Sequence, residues 1–374
     1  MRYRRMPIEI ESPEELGYDA ITYNLSESSY ADQRLSDLGI DGDVGDLLQQ
    51  YGDHLGLPRL REIVAAEGES VDPDQVIVTA GAAAALFFVS TALLGSGDHA
   101  LVVAPNYATN LETPRAIVAD LEPVALSFED GWQLDPARVE SALRPETKLI
   151  SVTYPHNPTG SMTDRAGLEE LIGIAERHGT VRLLVDETYR ELDPQPLPPV
   201  AHLSDRAISV SSMSKSFGLP GLRIGWIISR DAELSETLLA AKEQVMICGS
   251  ASDEEMAARV LEARPRILPA ITERIAAHLE ITRAWFDSQD TFEWVEPTAG
   301  VVGLPRFREP DRIDADLFYE SLLADHGTYV GPGHWFDQPR TSFRLGFGWP
   351  TSAELEGGLA GLLAAGTGAL RRDA

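Results

Sequence analysis

This chain has all but dispensed with lysine: three stand against twenty-eight arginines. One of them, Lys215, lies between two serines in "SVSSMSKSFGLPGLRIGW" (209–226), eight residues before Arg223. An amine kept against such a depletion is a candidate nucleophile and proton carrier, roles that need it neutral. A solvated surface lysine is the alternative, and the loss of nearly all other lysines argues against it. Further chemistry-bearing side chains close apolar runs elsewhere: Tyr107 after "ALVVAPN", Asn157 in "PHNPTG", Asp186 and Tyr189 in "VRLLVDETY". Each has a plainer reading. Asp186 could cap a following helix, "NPTG" is a good turn by composition alone, and Tyr107 could be an exposed loop residue.

The elements that must position these residues alternate along the chain. From about residue 75 to 230, runs rich in Val and Ile alternate with helical patterns, as in a mainly parallel sheet wrapped by helices. "QVIVTAG", "ALVVAPNY", "KLISVTYP", "VRLLVDETY", "AISVSS" and "RIGWIIS" read as strands, and "AGLEELIGIAERHG" (166–179) as a helix ending in glycine. Ligands of open α/β sheets sit beyond the carboxyl ends of strands, where the candidates fall. After residue 230 long helices take over, with a stretch from about 252 to 288 expected to break at Pro265 and Pro269. Short strands and one helix, "DADLFYESLLADHG", follow. This organisation predicts a large domain over 40–255 and a smaller α+β domain built from 1–39 and 256–374.

"SMSKSFGLPGLRIGW" resembles the Schiff-base motif of class I and II aminotransferases, the fold-type I enzymes dependent on pyridoxal 5'-phosphate. "YGDHLGLPRLREIVA", "PHNPTG" and "DETY" resemble other blocks of that family, in the family's order. The resemblance covers nearly the whole chain and implies a mainly parallel seven-stranded sheet flanked by helices. It also assigns roles. Lys215 would hold the cofactor as a Schiff base, and Asp186 would keep the pyridine nitrogen protonated. Asn157 and Tyr189 would hydrogen-bond the phenolic oxygen, and Tyr107 would stack on the ring for on the order of 1 kcal/mol beyond area burial. The phosphate would take the helix opening at Gly81-Ala82-Ala83, the Ser212 hydroxyl and the Arg223 fork. Many relatives carry a polar side chain where this chain has Ala82 and Ala83, so backbone N–H groups must do more here. Tyr51 resembles the tyrosine that reaches the partner's phosphate, which implies a homodimer with shared sites. Arg344, in "SFRLGFG", resembles the arginine that grips the substrate α-carboxylate. His156, His334 and Trp335 read as packing.

The expected reaction is a ping-pong transamination from an amino acid to a 2-oxo acid. The same machinery serves lyases, oxidases and cyclases, since all begin at the same carbanion. Glu27 and Asp32, in "YNLSESSYADQRLSDLG", would suit a cationic substrate side chain, and this stretch faintly resembles family enzymes that process arginine-like amino acids. The plainer reading makes Glu27 a solvated loop acid. A net charge of −28 excludes a general attraction to nucleic acid or anionic membranes. Such acidity fits a halophilic source, whereas a GC-rich genome accounts for the Arg-to-Lys ratio but less well for the charge. Cys248 is the single cysteine, and no zinc-protease, Walker or complete dinucleotide motif occurs, so no metal is expected. "MRYRRMPIEIES" lacks an apolar run behind its basic residues, and "AAAALFFVSTALL" is too short to span a bilayer, so the expectation is a cytoplasmic protein.

Overall fold

Prolines punctuate the start of the chain. In the computed structural model, which describes residues 1–117, 119–161 and 163–370, Pro7 and Pro13 open two one-turn helices, α1 (Pro7–Ile10) and α2 (Pro13–Leu16). Their fixed φ suits a first helical turn. β1 (Tyr23–Asn24) and α3 (Pro58–Ala65) precede the alternating region. That region runs β2 (Val76–Thr79), α4 (Ala82–Leu93), β3 (His99–Ala104), α5 (Ala108–Ile117), β4 (Asp120–Ala125), α6 (Pro136–Ser141), β5 (Thr147–Thr153) and α7 (Arg165–Arg177). β6 (Arg182–Asp186), β7 (Ala207–Ser212) and β8 (Gly225–Ser229) complete it.

These strands form one seven-stranded sheet in the order β2-β8-β7-β6-β5-β3-β4. Only β8 is antiparallel to its neighbours. Its reversed run matters for the site: the residues before β8, Arg223 among them, meet the carboxyl ends of β2, β3, β5, β6 and β7 on one sheet edge. Helices cover both faces of the sheet, so β2 and β8 are buried throughout and read as continuous apolar runs. β4 escaped the sequence patterns. It pairs only with β3, is exposed at half of its residues and contains Pro123, which an edge strand tolerates because one side needs no ladder donor.

The second half departs from expectation at two helices. α8 (Ala232–Met246) and α9 (Ala251–Glu262) precede α10 (Arg264–Asp287), which starts one residue before Pro265, where a break was expected, but runs unbroken through Pro269. That proline sits near the helix start, and the long apolar face beyond it, Ile271 and Ile275 among its buried residues, holds the helix against the core. The helix Ser352–Gly368 was not expected at all, because five glycines lower its propensity. Thr351 and Glu354 close a capping box at its start. The glycines serve packing: a Cβ on Gly358 would lie 2.7 Å from a Leu25 methyl.

The N-terminal segment is stitched into the C-terminal part and then onto the Lys215 loop. Tyr23 and Asn24 pair in parallel with Thr328 and Tyr329, and Gly346 N–H donates to the Leu25 carbonyl at 2.7 Å. Gly346 has no side chain to spare, since a Cβ there would meet the Glu27 carbonyl at 1.9 Å. Tyr30 N–H then donates to the Lys215 carbonyl at 2.9 Å, and Gln33 N–H to the Gly218 carbonyl at 2.8 Å. Ser26, Glu27 and Ser28 are thereby held opposite the sheet edge.

Candidate active site

Every candidate named from the sequence except Tyr51 and Asp32 lines one cavity of about 510 Å3 at that edge. Lys215 follows β7 and projects into it. Burial pushes its ammonium below the usual lysine range, the nearby Arg344 and Arg223 act in the same direction, and Glu27 and Glu14 oppose. The other two lysines are elsewhere: Lys148 lies on β5, and Lys242 is buried on α8, where it donates to the His54 carbonyl.

Asp186 ends β6 and is buried. Burial raises its carboxyl, while hydrogen bonds from Thr188, the proximity of Asn110 and the charge of Lys215 pull it back down. Thr188 donates to Asp186 Oδ1 through both its hydroxyl, at 2.5 Å, and its backbone N–H, at 3.2 Å. A carboxylate so held seeks a cationic or N–H partner in the cavity. The adjoining Glu187 faces away: its Oε1 accepts from Val200 N–H at 2.8 Å, and burial pushes it up to about 7.

Asn157 and Arg344 meet directly, with Arg344 Nη1 donating to Asn157 Oδ1 at 3.2 Å and Nη2 to the Ser26 carbonyl at 2.6 Å. The guanidinium lies 5.0 Å from the Phe336 ring centroid and 5.9 Å from that of Trp335. Its Nε is buried without a partner among the described residues, a donor that a ligand carboxylate would satisfy. Tyr189 is buried too, its hydroxyl beside Ser28 without closing a hydrogen bond. Tyr107 forms a side wall, its backbone N–H held by Asn106 Oδ1 at 2.7 Å.

At the opposite end α4 opens without a side-chain cap, behind Gly81 at φ 83°. Its first N–H groups, including those of Ala82 and Ala83, are the unpaired donors of a helix start. The Arg223 guanidinium crosses this point, since a Cβ on Gly81 would lie 2.7 Å from its Nη2. β8 also packs tightly here, with a Cβ on Gly225 meeting Ala82 N at 2.8 Å.

Some placements differ from expectation. Trp335 packs, as read, but also bounds the cavity beside Arg344. His156 lies outside the cavity, held near neutrality by burial, which pushes it down to about 4, with Nδ1 2.7 Å from Thr159 Oγ1. His334 pairs with Glu11. Tyr51 is 81% exposed and outside its own chain's cavity; its block is anchored by buried Arg61, which donates to the Gly56 and Pro73 carbonyls and pairs with Asp53. Asp32 lies off the cavity, accepting from Trp349 Nε1 at 3.3 Å. Glu27 is no freely solvated acid: it lines the cavity, and burial raises its carboxyl, as do Glu14 and Asp32, against Lys215 and Arg344. Thr188, Asn110 and the residues of α1 and α2 were missed. Thr188 was visible next to Asp186, but nothing local marks a distant one-turn helix as a cavity wall.

The arrangement therefore offers an anion end at α4 and Arg223, a carboxylate, phenol and amide around the middle, a neutral-leaning amine, and a buried arginine with a free donor. Pyridoxal phosphate presents a phosphate, a ring nitrogen, a phenolic oxygen and a carbonyl, and the orphaned donors and the Gly81 cradle fit it group by group.

Comparison with known proteins agrees. Residues 26–362 match the family Aminotransferase class I and II. Capreomycidine synthase of Streptomyces vinaceus is 33% identical over 323 residues, covering 86% of this chain and 82% of that protein. Arginine–pyruvate transaminase AruH of Pseudomonas aeruginosa is 30% identical over 302 residues, 76% of this chain and 74% of its own. The crystal structure of the pyridoxal-phosphate-dependent cyclase OrfR superposes with a TM-score of 0.85 at 27% identity, over 97% of both chains. The chain belongs to the class I and II aminotransferase family and is a pyridoxal-phosphate-dependent enzyme of that fold.

Proposed function

We propose that this enzyme transfers an amino group from an amino acid to a 2-oxo acid by a ping-pong mechanism, with Lys215 as the residue that attaches the cofactor. The observation that carries the reading is Arg344 lining the cavity that holds Lys215, with its buried Nε lacking a partner among the described residues. An α-carboxylate on Arg344 would bring the substrate amino group and α-carbon toward the lysine.

Pyridoxal phosphate, when bound, supplies a ring that withdraws electrons from the substrate α-carbon. The work of the chain is to place and protonate. Asp186, oriented by Thr188, would accept from the ring nitrogen. Asn157 and Tyr189 would donate to the phenolic oxygen, and Tyr107 would stack on the ring. The Ala82 and Ala83 N–H groups, Ser212 and Arg223 would hold the phosphate, with Tyr51 of a second subunit reaching it in a homodimer. Lys215, whose ammonium burial pushes down, would act as general base toward the substrate α-proton and then as the general acid that returns it.

A second reading, cyclisation or elimination on an arginine-like amino acid, is favoured by one specific observation. Glu27 lines the same cavity as Arg344, so a substrate held by its carboxylate could present a cationic side chain to a carboxylate. Similarity to an arginine transaminase supports this substrate class, and similarity to a cyclase supports cyclisation, so the reaction is not chosen by likeness alone. Borohydride treatment of the cofactor-loaded protein tests the common core: the label should appear on the peptide containing Lys215. Label on Lys148 or Lys242 would refute it. Mixing the loaded protein with single amino acids and analysing products then separates keto acid from cyclic product.

A further inference from the structure

The roof of the cavity is a strap, α1 and α2, that carries Glu9, Glu14 and Glu15 to its mouth. The strap is clasped at its middle. Between the two helices, the Glu11 carboxylate accepts from Trp335 Nε1 at 2.8 Å and lies 2.8 Å from His334 Nε2. The Glu11 carbonyl accepts from the Tyr329 hydroxyl at 2.6 Å. Trp335 is also the ring beside Arg344, so the clasp ties the strap's height to the residue that would hold the substrate carboxylate.

The acids of the strap are not equivalent. Arg5 pairs with Glu15 at 2.6 Å, and Glu9 folds back to accept from Met6 N–H at 2.6 Å. Glu14 has no hydrogen-bond or ion-pair partner among the described residues, although it acts on both Lys215 and Glu27 through space. Glu27 is steered by the Tyr18 hydroxyl, 3.3 Å from its Oε1, and Tyr18 in turn stacks on Trp349 at 6.3 Å. Two carboxylates thus line the same cavity as the buried Arg344 donor, which is unpaired among the described residues. A ligand that satisfies both kinds of group has a carboxylate and, beyond it, a cation.

We propose that Glu14 joins Glu27 in a two-carboxylate receptor for the distal cation of an amino acid substrate, with the Glu11 clasp as the positioning residue that keeps the strap in place. This rests on the cationic-substrate reading above and adds to it the strap as the specificity element. A planar guanidinium or amidine suits two carboxylates better than a compact ammonium, because its fork can donate to both at once.

The test is calorimetric binding of arginine and of citrulline, its uncharged near-isostere, to the cofactor-loaded protein. The wild type should bind arginine at least about tenfold more tightly, the scale of one charge-assisted hydrogen bond. Glu14→Gln, at an exposed position, should reduce that preference by about tenfold while changing citrulline affinity less than twofold. Glu11→Ala should reduce it similarly, and Glu11→Gln, whose amide oxygen still accepts from Trp335, should recover most of it. A preference abolished by Glu27→Gln but untouched by Glu14→Gln overturns the strap proposal and leaves the cationic-substrate reading standing. Equal weakening of both ligands by Glu14→Gln also overturns it. No wild-type preference for arginine removes the cationic-substrate reading and the strap proposal with it.

Discussion

Replacing Arg344 is the sharpest probe of how substrate is held. The side chain is 4% exposed, with Nη1 and Nη2 committed to Asn157 and Ser26 and Nε left free. A substrate carboxylate would take Nε and share one Nη, making two charge-assisted bonds. Each is worth about 1.5–3 kcal/mol. Arg344→Lys keeps the charge but offers a single point donor, so kcat/KM for amino acids should fall by roughly tenfold to 150-fold. Arg344→Gln removes the charge and both bonds, for roughly 10²- to 10⁴-fold. The assay compares each amino acid with its decarboxylated amine, following the cofactor spectrum on mixing. The amine lacks the group that Arg344 binds, so its rate should change little between wild type and Arg344→Lys. If both variants slow amino acid and amine by the same factor, Arg344 supports the cavity wall and does not hold the carboxylate.

Three other outcomes follow from the same geometry. Asp186→Ala should lower turnover by about 10²-fold or more while cofactor affinity, read by spectral titration, changes much less, because the phosphate contacts remain; equal losses would make Asp186 structural. Glu187 is raised from 4.5 to about 7, so the folded state binds the extra proton between those values and stability falls as pH rises through that window. Denaturation of wild type and Glu187→Gln should therefore show the variant gaining about 2.5 kcal/mol relative to wild type between pH 5 and pH 8, and a constant difference would contradict the assignment. With a charge of −28, the melting temperature should rise by about 2 °C or more from low to molar salt as screening shortens to ~3 Å, and a flat profile would speak against acidic self-repulsion.

Legibility in the sequence tracked how local the cause was. Strands buried on both faces announced themselves as apolar runs, and the residues after them lie at the carboxyl edge because parallel topology puts every such end on one side. β4 was hidden because an edge strand is half solvated and can carry Pro123. The helix Ser352–Gly368 was hidden because its glycines lower local propensity while permitting contact with Leu25 and Phe292, a benefit that exists only after folding. Trp335 looked like packing, and its place beside Arg344 depends on the turn after Pro332 and on the Glu11 clasp.

By itself the sequence determined the chemical inventory: one lysine among hydroxyls, Arg223 eight residues after it, Asp186 after an apolar strand, and Arg344 far downstream. Residue type and short spacing suffice for that, because a strand end or a helix start is set within a few residues. Tertiary structure alone decided that Arg344 keeps a free Nε beside Asn157, that Glu27 is enclosed with the lysine, and that the N-terminal strap roofs the cavity. Those relations join segments more than three hundred residues apart. They arise from the burial of shared apolar surface, which is non-directional and leaves no local mark in the chain.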